Sequence, residues 1–151
     1  MAHTPVNHPA RPVYRAIGGL VGLYLVVFGV LGIVASAGND IFARDDTKVF
    51  GQGTNLGFSI LSILLGGAVV AGTVIGRNLD VAINQWLAYA MMAIGLAGLA
   101  FIRTDANIVN FSIMTVIVFL TLSLVLLVAG MYGKVGTDEE KSAWEKARLV
   151  L

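Results

Sequence analysis

Four long stretches without Asp, Glu, Lys or Arg divide this chain, and they constrain its fold more than any other feature. They run from Ala16 to Asn39, Val49 to Gly76, Val81 to Ile102 and Ala106 to Gly133. Each exceeds the roughly 20 residues needed to cross about 30 Å of hydrocarbon as a helix. Trimming their polar ends predicts spans over 16–37, 56–76, 84–102 and 110–132. They must be helices, because backbone groups in lipid need partners within their own segment. The stretches also lack the alternation of a barrel strand. One such stretch fits the core of a soluble protein, but four in 151 residues do not. Only 13% of the residues are charged, against roughly 25% in soluble domains. In water such a chain would expose large apolar patches.

The expected fold is an all-α membrane protein. It comprises a disordered N-terminal tail (1–15), a four-transmembrane-helix bundle of two antiparallel hairpins (16–133), and a cytoplasmic amphipathic tail (134–151). Ala35-Ser36-Ala37 has the small residues of a signal-peptidase site. The apolar run before it is longer than a signal core and is rich in glycine, so a retained helix is expected.

Seven of the ten Lys and Arg residues (Arg11, Arg15, Arg77, Lys134, Lys141, Lys146, Arg148) fall on the side of the termini. Arg44, Lys48 and Arg103 fall on the other. The positive-inside rule places both termini in the cytoplasm. Tyr14, Trp86 and Tyr132 suit the inner boundary.

The connections are read from their composition. Asn39 to Asn55 is the longest loop, of mixed charge and solvated. The inner turn, Arg77 to Ile83, brings Arg77 near Asp80, where an exposed pair contributes little. Asp105, Asn107 and Asn110 are placed to cap the fourth span. Thr137 and Glu140 fit a capping box, and a short amphipathic helix with Ala143, Trp144, Ala147, Val150 and Leu151 on one face should follow. His3 and His8 lack the carboxylate neighbours of a metal site and are read as part of the tail.

Burial does not drive helix association in lipid, so close backbone approach and hydrogen bonds must. The chain has 18 glycines. Those assigned to helix packing are Gly18, Gly22, Gly29, Gly32, Gly66, Gly72, Gly76, Gly95 and Gly98. Ser59, Ser62, Thr73, Ser112, Thr115, Thr121 and Ser123 can hydrogen-bond within or between helices. The fourth span from Val116 to Val128 suits a lipid-facing or oligomer-facing position. The halves echo one another, with Phe28-Gly29-Val30-Leu31-Gly32 against Ile94-Gly95-Leu96-Ala97-Gly98.

Several chemistries are excluded or disfavoured. A net charge of +1 offers no basic patch for nucleic acid. The absence of cysteine excludes thiolate chemistry and disulfides. No ionisable residue falls within the predicted spans, against the usual arrangement of ion-coupled pumps. The spans also contain no histidine for haem ligation. No hydrolase or phosphate-loop motif is present. No enzyme activity, cofactor or metal is expected.

Several short motifs resemble a family of small four-helix membrane proteins seen mainly in actinobacteria, catalogued as domain of unknown function 4383. They are Tyr14-Arg15 with Gly18 and Gly19, Thr54-Asn55, the stretch Thr104, Asp105, Asn107, Asn110, Phe111, Ser112, and Gly130-Met131-Tyr132-Gly133. The resemblance implies a bacterial cytoplasmic membrane and no particular activity. The best site candidate is a polar cluster at the outer face: Thr54, Asn55, Thr104, Asp105, Asn107 and Asn110. Three functions compete. The first is a structural or accessory protein associating with itself or a larger membrane complex. The second is a small transporter or channel subunit for a neutral or polar solute. A lipid-acting enzyme ranks last.

Overall fold

The computed structural model describes residues 4–148. His3, Val150 and Leu151, assigned above to the tails, lie outside them. The chain forms α1 (Arg11–Ala35), a two-residue-strand hairpin of β1 (Lys48–Val49) and β2 (Gln52–Gly53), α2 (Leu56–Ile75), α3 (Leu79–Phe101), α4 (Ile113–Met131) and α5 (Asp138–Arg148). The first four helices are each long and apolar enough to cross a membrane. Helix α1 packs chiefly on α2, and α3 chiefly on α4, with thinner contact between the two pairs. Large apolar side chains cover the outside, including Leu20, Leu64 and Val74.

Local chemistry explains the helix boundaries. Helix α1 starts earlier than the charge pattern suggests, with proline in its first turn, where the missing N–H costs nothing. Helix α2 ends at Gly76, whose φ of 69° is left-handed. Arg77 and Asn78 follow with φ of 53° and 64°. This tight reversal lets α3 begin at Leu79 rather than at residue 84. Helix α4 begins at Ile113, behind a capping box of Ser112 and Thr115. The expected caps Asp105, Asn107 and Asn110 do not serve it, because Asn110 is itself left-handed at φ 56° and ends the preceding loop.

The tail reading of 1–15 is corrected over the described residues. Val6 is only 6% exposed. The Asn7 amide donates to the Gly136 carbonyl at 2.9 Å and accepts from the Gly136 N–H. His8 packs edge-on against Tyr14 and Tyr132, which stack at 5.0 Å. The segment is held because its polar groups find backbone partners in the stretch after α4.

The interior is aromatic toward the loop end. Phe58 touches Phe28, Phe111 and Phe119 at ring separations of 5.7, 4.7 and 5.6 Å. Each such pair adds about 0.5–1.5 kcal/mol beyond burial. Helix α4 places Val116, Phe119, Ser123 and Leu126 in the core, so only its other face, with Ile117 and Leu124, is exposed.

The glycines mark where helices meet. A Cβ on Gly22 or Gly66 would press into the facing helix, and the Gly66 position lies 2.5 Å from the Gly22 carbonyl oxygen. Gly29 and Gly32 face Ser59 on α2, Gly95 faces Leu120 on α4, and Gly98 faces the Phe111 ring. The echoed glycine pairs therefore serve equivalent seams, α1–α2 and α3–α4. Gly18 lies against the Asn84 amide, Gly72 against Ile83, and Gly76 against Arg15. Replacing Gly98 with alanine drives a methyl into a ring that is itself packed on all sides. The expected cost is about 1–3 kcal/mol. Gly67 has open space, so Gly67→Ala should be neutral or stabilising by up to about 1 kcal/mol. Unfolding titrations in mixed micelles compare the two, and equal effects would refute the packing assignment.

Candidate functional site

Polar side chains gather at both ends of the bundle. At the loop end, the β hairpin turns at Phe50 and Gly51, with φ of 51° and 76°. Two successive left-handed residues match the twist of a tight hairpin. The turn lays Gln52 to Asn55 across the tops of the helices. Thr54 and Asn55 are 0% and 1% exposed. Burial of this kind is tolerable only if every group is bonded.

Asn55 meets that demand with three hydrogen bonds. Its Oδ1 accepts from the Phe58 N–H at 2.9 Å and so caps α2. Its Nδ2 donates to the Ile108 carbonyl at 2.8 Å and the Ala43 carbonyl at 3.2 Å. Thr54 Oγ1 pairs with Ser59 Oγ at 3.0 Å. Asn110 Nδ2 donates to the Thr54 and Asp45 carbonyls at 2.8 and 2.9 Å. Asn107 Oδ1 accepts from the Phe111 N–H at 2.8 Å, and its Nδ2 donates to the Phe111 and Ile102 carbonyls.

Thr54, Asn55 and Asn110 thus form one knot joining both loops, and Asn107 braces the second loop from within. The other two cluster residues stand apart. Thr104 donates to the Phe101 carbonyl within its own turn. Asp105 pairs with Arg44 at 2.8 Å, with its side chain fully exposed. Further members of the knot are Gln52, bonded to the Tyr24 hydroxyl, and Ser112 and Thr115. Ser112 Oγ accepts from the Gly53 N–H at 3.0 Å, and Thr115 Oγ1 donates to the Gly53 carbonyl at 2.9 Å. Ser62, Thr121 and Ser123 bond only to carbonyls of their own helices. Nearby, exposed Asp45 accepts from Asn39 Nδ2 and the Thr47 N–H. Hydrogen bonding by Thr47 holds its carboxyl below the ordinary 3.8.

The terminal end holds a charged group. Asp80, in the first turn of α3, is 3% exposed. Its Oδ2 meets Arg11 at 3.4 Å and Arg15 at 3.8 Å. Arg11 Nε also donates to the Gly133 carbonyl at 2.8 Å, just past the end of α4. Arg15 donates to the carbonyls of Thr73 and Val74, in the last turn of α2. Cations thus sit on the negative ends of α2 and α4, and the carboxylate on the positive start of α3. The expected Arg77–Asp80 pair is replaced by this arrangement, because the left-handed turn carries Arg77 outward and α1 supplies two arginines from within. Arg11, Arg15 and Asp80 belong to the leading turns of α1 and α3, just ahead of the charge-free spans that begin at Ala16 and Asn84.

Beside this group, Asp80 Oδ1, Asn84 Oδ1 and Thr73 Oγ1 are buried without a hydrogen-bond partner among the described residues. Two guanidinium groups so close to the carboxylate repel any further cation. No group of three or more His, Cys, Asp or Glu side chains suited to a metal ion occurs among the described residues. Both ends hold helices together.

The amphipathic helix follows its capping box, with the Thr137 N–H on Glu140 Oε2 and the Glu140 N–H on Thr137 Oγ1 at 3.1 and 3.2 Å. Comparison with protein-family models, curated proteins and solved structures finds no match to this chain.

Proposed function

We propose that the chain is a multi-pass protein of a bacterial cytoplasmic membrane, with four antiparallel spans and both termini in the cytoplasm. It acts without catalysis as a structural or accessory subunit, associating with further copies or with a larger membrane complex. The observation that carries it is the use of polar groups. Asn55, Asn107 and Asn110 direct their amides at the protein's own backbone. That leaves them poor candidates for binding a passing solute, which counts against the transporter alternative.

The outer face of α3 suits association. Ala90, Ala93, Ala97 and Ala100 are all exposed, and small side chains let helices approach closely in lipid. The chain has no cysteine, so Ala93→Cys introduces a single reporter. Mild oxidation of native membranes should join it by a disulfide to the same residue of a second copy or to a cysteine of a partner, whereas Leu64→Cys on α2 should react far less. A protein that stays monomeric and uncross-linked in both variants would overturn the association.

A further inference from the structure

The C-terminal helix does not lie flat on the bundle. A groove of about 650 Å³ separates it from the first turns of α3. Val81, Ala82, Gln85 and Trp86 form one wall, and Ala143 and Trp144 the other. Lys134 and Glu140 border it with their charged ends 3.7 Å apart. Both side chains are well exposed, at 40% and 51%, so the pair is weak and free to separate.

A second hollow of about 210 Å³ lies against Ala68, Ile83 and Leu87 in the α2–α3 seam. It shares Ala82 and Trp86 with the groove, and its lining is apolar. Ala82 and Trp86, one turn apart on α3, thus border both a groove bearing one cation and one anion and an apolar hollow beside it. That is the order of polarity along a phospholipid, and the size is that of a small-molecule site.

We propose that this groove binds one zwitterionic, amine-bearing glycerophospholipid from the leaflet nearest the termini. Its phosphate sits at Lys134, its ammonium at Glu140, and one acyl chain enters the α2–α3 seam past Ala82. The choice of a zwitterionic headgroup rests on the paired charges. An anionic lipid would meet Glu140 unfavourably. A docking protein segment would have no use for the slot beyond Ala82. The inference depends on the membrane reading above.

The test uses the two tryptophans of the chain, both of which border the groove. The full-length protein in mild detergent is titrated with phosphatidylethanolamine carrying brominated acyl chains, and tryptophan quenching is followed. Saturable quenching with one lipid per chain is expected. Ala82→Leu adds bulk at an exposed helical position where the slot begins. It should weaken binding about tenfold or more, with circular dichroism unchanged. Lys134→Gln should weaken binding of phosphatidylethanolamine and phosphatidylglycerol alike. Glu140→Gln, which keeps the cap, should weaken only the former. Quenching that never saturates, or that Ala82→Leu leaves intact, overturns the site. Equal binding of both lipids with Glu140→Gln silent overturns the headgroup assignment. A chain that stays soluble without detergent would instead refute the membrane reading.

Discussion

Replacing Asp80 with alanine lowers stability by about 2–4 kcal/mol, because two arginines then face a buried gap. The loss is smaller than is usual for a broken buried pair because Arg11 and Arg15 are 20% and 32% exposed and keep some access to solvent. Removing the carboxylate leaves both guanidinium groups on the helix ends they cap, but their mutual repulsion is no longer balanced. Asp105→Ala breaks a shorter ion pair, at 2.8 Å, yet its side chain is fully exposed. That variant should change stability little. Unfolding by denaturing detergent, followed by circular dichroism, measures both. If Asp105→Ala proved the more damaging, the charged group at the terminal end would have no structural role.

Asn55→Ala is the second large effect, at about 3 kcal/mol, from a lost helix cap and two carbonyls stripped of their donor. The Ile108 carbonyl belongs to the loop between α3 and α4, so the change should also loosen one pair of helices from the other. Asn55→Asp keeps the cap but loses both amide donations, and should recover only part of the loss. Hydrogen exchange at Phe58 and around Ile108 separates the contributions. Full recovery in Asn55→Asp would show that the link to the second loop does not matter.

Sequence and structure agree where the signal is local. A stretch free of charge announces a long apolar helix by itself. The Thr137–Glu140 box is visible because its partners are three residues apart. Ser112 and Thr115 were visible as hydrogen-bonding residues, but not as the cap that starts α4. The charged group at the terminal end was hidden for a different reason. Asp80 lies three residues from Arg77 in the chain, and proximity suggested that pairing. Its real partners are more than sixty residues away, brought in by the packing of α1. The knot at the loop end was half legible. Asn55 and Asn110 are conspicuous, but what they bond to is the backbone of Ala43, Ile108, Asp45 and Thr54, and a carbonyl carries no mark in a sequence.

The partners of the two arginines become available at different moments of synthesis. Arg15 finds Thr73 and Val74 as soon as α2 has folded back on α1. Arg11 has to wait for Asp80 at the start of α3 and then for Gly133 beyond α4. A nascent chain halted after its second helix would carry Arg15 already seated and Arg11 idle. Arg11 is therefore the later of the two to close, since its partners come with α3 and the stretch beyond α4.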